Sequence, residues 1–141
     1  MDSPPILTSS EISLIKTSWE QIQDNPQKVR KIFYLKIFEI EPEARKLFRE
    51  TFLSFDSLPD SFLFMREHLD NLEKEIPRIK RLGLKHKTYG VKKKYYPIGQ
   101  TALLWTFQQI MKDKFTTDMI NAWAKLFEFM AHYLILGMRR K

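Results

Sequence analysis

Three histidines, His68, His86 and His132, carry most of the ligand chemistry open to this 141-residue sequence. Cysteine is absent, which removes disulfides, thiolate catalysis and Cys-based zinc or iron–sulfur sites together. No His-Glu-x-x-His pair, Gly-x-Ser-x-Gly elbow or Gly-rich phosphate loop occurs, so neither hydrolysis nor nucleotide chemistry is expected. An isolated histidine is more often a surface or satisfied core residue than a ligand. That reading suits His68, beside Glu67 and Asp70, and His132. His86 differs. It lies four residues after Leu82, on the same helical face, and Gly90 follows as a helix stop.

The elements that must position it are helical. Thr8-Ser-Ser-Glu11 reads as a capping box before an apolar stripe at Ile12, Ile15, Trp19 and Ile22, which predicts a first helix over about 9 to 23. Pro26 opens a second, with Val29, Ile32, Phe33, Leu35, Ile37 and Phe38, ending at Glu41-Pro42 because the residue before a proline is pushed out of helical geometry. A short turn runs from Pro42 to Phe48, and the poor periodicity from Arg49 to Leu58 predicts a loop or a distorted helix start. Pro59 begins a helix over Leu58 to Glu75, and Pro77 the next, through Ile79, Leu82 and His86. Pro97 opens another, through Leu103, Leu104, Phe107 and Met111. After a turn at Lys114 to Thr117, Ile120, Trp123, Phe127, Met130 and Leu134 mark the last helix. No hairpin pattern, internal repeat or low-complexity tract appears, so the expected class is all-α, with six to eight helices.

A net charge of +7 resembles a nucleic-acid signal until it is located. Arg78, Lys80, Arg81, Lys85, Lys87, Lys92, Lys93 and Lys94 are unaccompanied by any acid between 78 and 94, so the excess is one patch. Such a patch attracts phosphates, an anionic surface or the carboxylates of a ligand, and charge runs also serve solubility alone. The start Met-Asp-Ser-Pro-Pro shows no basic region followed by an apolar core, and no apolar run approaches the roughly 18 residues of a membrane span, so a cytoplasmic protein is expected. The size and the 43% hydrophobic content fit one domain with one core over 1–141, with 1–7 a disordered lead and 139–141 a basic end.

The stretch Leu82-Gly-Leu-Lys-His86-Lys-Thr-Tyr-Gly90-Val91, followed by Tyr96-Pro-Ile-Gly, resembles the segment around the proximal histidine of bacterial globins and of the globin domain of flavohaemoglobins. Phe33-Tyr34 with Phe38, Glu41-Pro-Glu and Leu47-Phe48 are similar to the second and third helices of that family, and Ala122-Trp123 to its last helix. The resemblance implies a globin-like fold and haem b, with His86 as the metal ligand and Tyr34 as distal hydrogen-bond donor to a diatomic gas (O2, CO or NO). It also implies Phe48 against the haem ring, Val91 near its edge, and Ser54, Phe55 and Leu58 on the distal wall. Where the family usually has a distal Gln or His, this sequence has Ser54 or Phe55, and Pro59 interrupts the distal helix. Tyr96 matches a tyrosine of the flavohaemoglobin proximal network, yet the glutamate that completes it falls near Gly137 or Met138. The implied role is reversible gas binding or oxygen transport. Nitric oxide detoxification would need an external reductase, because no flavin or nicotinamide site follows the resemblance.

Two other readings compete. A haem-free sensor or interaction domain holding an apolar ligand is motivated by Phe52, Phe55, Phe62, Phe64 and Pro59, whose bulk would fill a haem pocket, and is opposed by the retained His86. Nucleic-acid binding through Arg78–Lys94 lacks a reading helix or a stacking motif, so no nucleic-acid partner is expected.

Overall fold

The computed structural model describes residues 4, 6–46, 67–88 and 90–139. Five α-helices occur among them, α1 (Ser9–Ile22), α2 (Pro26–Ile40), α3 (Ile76–Thr88), α4 (Tyr95–Met111) and α5 (Thr117–Met138). Short 3-10 segments lie at Pro42–Ala44, Leu69–Glu75 and Lys112–Lys114. No strand is present among the described residues, as the periodicity predicts.

The helix starts follow from their caps. The Thr8 hydroxyl accepts from the Glu11 N–H at 3.1 Å, and the Glu11 carboxylate accepts from the Thr8 N–H at 2.7 Å, so two amides that no helical carbonyl can reach are satisfied reciprocally. Asn25 accepts from the Lys28 N–H at 3.1 Å to open α2, and Thr116 from the Met119 N–H at 3.2 Å to open α5. α2 stops where Glu41 takes φ −137° ahead of Pro42. Pro77 sits in the first turn of α3. α4 begins at Tyr95, two residues before the predicted start at Pro97, because the first amides of a helix have no internal partner and a proline there costs no bond.

One expectation is corrected. Residues 69–75 do not continue an α-helix from Pro59 but form a 3-10 stretch broken at Asn71, whose φ of −136° and ψ of 36° are not helical. Asparagine competes with helical hydrogen bonding through its own side chain, which suits it to such a break. The turn predicted over Pro42 to Phe48 begins as the 3-10 segment Pro42–Ala44, while its residues 47 and 48, the loop at 49–58 and the helix start at Pro59 lie outside the described residues.

The core is aromatic and centred on α4 and α5. Trp123 is 1% exposed and Phe107 fully buried, with ring centroids 4.7 Å apart, and Phe115 meets Phe107 edge-on at 6.0 Å. Each such pair contributes about 0.5–1.5 kcal/mol beyond the area it removes from water. α1 joins through a polar bond inside this apolar mass, the Trp123 indole N–H donating to the buried Ser18 hydroxyl at 2.7 Å. Ser18 in turn donates back into its own helix, at 2.8 Å from the Leu14 carbonyl and 3.0 Å from that of Ile15.

Two contacts decide where α3 lies. α3 packs along α5, and α2 packs on α4. A Cβ at Gly83 would overlap the Leu134 backbone, and one at Gly137 would overlap the Lys80 backbone. The two helices therefore meet main chain to main chain, with a glycine contributed by each side. No helix among the described residues is long and apolar enough to cross a membrane.

Candidate functional site

His86 occupies the last turn of α3, and the end of that helix is built to hold it. Gly90 has φ 92°, a left-handed conformation that glycine adopts without the Cβ clash other residues incur. The chain thereby reverses so that the Gly90 N–H donates to the Lys87 carbonyl at 3.0 Å and the Val91 N–H donates to the His86 carbonyl at 2.9 Å. This paired closure, a Schellman motif, satisfies two carbonyls at the helix end and fixes the backbone of His86 itself. Val91, expected at the edge of a ligand, is thus half-buried and joined to the histidine through the main chain.

The side chain is fixed from the neighbouring helix. The Tyr96 hydroxyl, from the first turn of α4, lies 3.2 Å from Nδ1 of His86, with ring centroids 6.3 Å apart and planes inclined by 34°. Burial, and after it the charge of Lys85, lowers the His86 pKa below the ordinary histidine value, so its imidazole is neutral at pH 7. Burial pushes the Tyr96 hydroxyl up to about 12, so it remains a protonated phenol. The pair is uncharged. With a ligand on Nε2 the ring proton sits on Nδ1 and is donated to the Tyr96 oxygen, which sets both tautomer and ring orientation. Among the described residues nothing bonds Nε2, so that lone pair is the one available to an electrophilic metal. No group of three His, Asp or Glu that could hold a bare ion occurs among them, and one neutral nitrogen is the donor set that suits a metal already ligated by a macrocycle.

The glutamate of the flavohaemoglobin network has no counterpart here. At Gly137 the Lys80 backbone occupies the space of a side chain, and Met138 is apolar and half-buried. Tyr96 is the hydrogen-bond partner of His86 among the described residues, and a phenol polarises the imidazole less than a carboxylate.

Tyr34 is placed separately, on α2. It is 6% exposed in an aromatic row, 5.0 Å from the Phe33 ring and 6.3 Å from the Phe38 ring. Phe48, Ser54, Phe55 and Leu58 lie outside the described residues. The other histidines are engaged elsewhere. Nδ1 of His68 meets the Glu75 carboxylate at 3.2 Å, and His132 stands edge-on to Tyr133 at 4.8 Å. The glycine-to-backbone crossing of α3 and α5 and the Val91 amide on the His86 carbonyl were not singled out in the sequence. Their signal was the scarcity of glycine itself, four in the chain, three of which are used in this part of the fold.

A family model described as Globin matches residues 31–134, so the chain belongs to the globin family. It is 26% identical over 137 residues to a flavohemoprotein of Halalkalibacterium halodurans, an alignment covering 94% of this chain and 33% of that protein. The chain therefore spans about a third of the length of the flavohemoproteins it matches. It is also 27% identical over 150 residues to the anaerobic nitrite reductase HBII of Casuarina glauca, covering 94% of this chain and 92% of that one. Among solved structures, a hexacoordinated heme protein from an anhydrobiotic tardigrade superposes with a TM-score of 0.79 at 21% identity, over 95% of this chain and 96% of the other. The fold is the globin fold, and membership of the family implies that the chain binds haem.

Proposed function

We propose that this chain is a globin domain that holds haem b through Nε2 of His86 and reversibly binds diatomic gases, O2, CO and NO. The observation that supports it most is the His86 imidazole held at Nδ1 by the Tyr96 hydroxyl at 3.2 Å, with no partner at Nε2 among the described residues. The haem supplies the iron at which a gas binds. The chain's own residues do the rest. His86 offers its lone pair from a capped helix end, and the Tyr96 oxygen accepts a hydrogen bond from Nδ1–H and keeps the ring from rotating. On the distal side, the resemblance gives Tyr34 the role of an O–H donor to the gas, and its burial in an aromatic row excludes competing water.

Nitric oxide detoxification is a second use of the same site, supported by the likeness to flavohemoproteins and drawing electrons from an external reductase. With Tyr96 but no carboxylate bonded to His86 among the described residues, the imidazole is a less electron-rich ligand, which favours gas binding over oxidative chemistry.

The test is the absorption spectrum of the purified protein, oxidised, reduced and under carbon monoxide, with haem quantified against protein. We expect about one haem per chain and a Soret band that moves on adding carbon monoxide. His86→Ala should lose the spectrum of an imidazole-ligated carbonyl. A colourless protein that takes up no added haem would overturn the reading in favour of a haem-free sensor.

A further inference from the structure

We propose that the outer face of α3 and the turn that follows it form a docking surface for an acidic electron-carrier protein. The inference rests on the haem reading above for its purpose and on the charge layout for its placement. Between Ile76 and Met111 the sequence has eight basic residues and no Asp or Glu, while the remainder, with sixteen basic and seventeen acidic residues, is close to neutral. Arg78, Arg81 and Lys85 recur at helical spacing and are exposed, on the side of α3 away from the buried Ile79 and Gly83. Lys92 and Lys93 extend the patch from the exposed turn that the Val91 amide ties back to His86.

Two ordinary explanations cover only part of it. Cations near a helix C-terminus complement the helix dipole, which accounts for Lys85 and Lys87 but not for Arg78 and Arg81 in the first half of the helix. Internal pairing engages Arg78 with Glu75 at 3.6 Å and Lys94 with Glu41 at 4.0 Å. Among the described residues it leaves Arg81, Lys87, Lys92 and Lys93 without an ion pair. A dense field of one sign steers a partner of the opposite sign, raising association rates about ten- to a thousandfold at low salt.

The kind of partner follows from what accompanies the charge. The large apolar side chains exposed among the described residues, Ile6, Leu35, Ile40 and Trp105, are all outside the patch, so the described part of it offers no large exposed apolar side chain to insert into a bilayer. Among the described residues no stacking ring is fully exposed on it to receive a base, Tyr95 and Tyr96 being half-buried. A folded acidic protein needs neither. The patch also surrounds the helix end that carries His86, so a carrier docked there stands against the element that holds the proposed axial ligand. A haem held there would take one electron from the reduced carrier, which is oxidised by one electron in turn, with no proton or bond exchanged.

The probe is an acidic [2Fe–2S] ferredoxin. Its binding in the oxidised form is measured by titration calorimetry, with and without haem in the globin. We expect affinity at about 20 mM salt to fall about tenfold or more by about 200 mM. The triple variant Arg81→Glu/Lys92→Glu/Lys93→Glu, with an unchanged circular dichroism and carbonyl spectrum, should bind about tenfold more weakly or not at all at low salt. Reduction of the haem-loaded protein by reduced ferredoxin should follow the same pattern, while reduction by dithionite stays within about twofold. Equal binding by wild type and variant overturns the proposal, as does sedimentation of the wild type with phosphatidylserine vesicles in the absence of ferredoxin binding. Failure to take up haem would show separately, in the spectrum, and would remove the haem reading while the calorimetry still decides whether the patch docks an acidic protein.

Discussion

A phenol and an imidazole 3.2 Å apart, both uncharged at pH 7, define what the proximal residues can do. The neutral imidazole needs no deprotonation before it ligates, and the phenol fixes which nitrogen is offered. On α2, Tyr34 is a buried residue whose ring packs between those of Phe33 and Phe38. If it donates to the bound gas, Tyr34→Phe removes one hydrogen bond to a partly negative acceptor, worth about 1.5–3 kcal/mol, while keeping the ring. Oxygen dissociation should then speed up by about ten- to a hundredfold, measured by stopped-flow displacement with carbon monoxide. An unchanged rate assigns the donor to another residue. At this scale His86 was legible in the sequence because the Leu82–Val91 segment is specific. The bond from Tyr96 was only implied, since residues ten apart meet only when two helices are packed.

The helices themselves are tied at their ends by groups that also reach across the fold. Glu11 closes the capping box of α1 and also accepts from Lys125 of α5 at 2.8 Å. The Lys125 hydrogen bond first, and the Thr8 amide after it, hold its carboxyl below the usual carboxylate range. A group lowered on folding adds stability above its unfolded value, and that part is lost as pH falls through the folded one. Unfolding free energy should therefore drop as pH is taken down from about 4.3, and Glu11→Gln should be less stable at pH 7 with a flatter slope below it. Urea titrations at several pH values check this, and identical slopes for the two proteins would overturn it. The box at Thr8–Glu11 was readable because it is local, four residues acting on their own backbone. The break at Asn71 was not, because a propensity pattern over 58–75 does not register a single residue leaving helical geometry.

Across the molecule, the position of α3 depends on two glycines more than on any side chain. Gly137→Ala places a methyl group into the Lys80 backbone, which has no rotamer to give way. α3 and α5 must separate, and the loss should be about 1–3 kcal/mol, the usual range for overpacking a tight contact. Gly99→Ala is the matched control, since a Cβ there meets nothing within 4 Å. Thermal melts of the haem-free chain should show Gly137→Ala well below the wild type and Gly99→Ala at or above it. Since α3 carries His86, the first variant should also bind haem more weakly. Equal melting temperatures would show that the crossing is looser than described.

The amino-acid sequence determined the helical class, most helix boundaries and the basic patch, because capping, apolar periodicity and charge density are local and additive along the chain, while His86 became the candidate ligand only through the resemblance carried by Leu82–Val91. It could not determine which groups meet. The 3.2 Å approach of Tyr96 to His86, the Ser18 hydroxyl under Trp123, and the main-chain contact that leaves no room for a side chain at position 137 are all products of packing. Each joins groups on different helices. Their meeting is set by where whole helices come to rest against one another, and that is decided by the shape of the shared core.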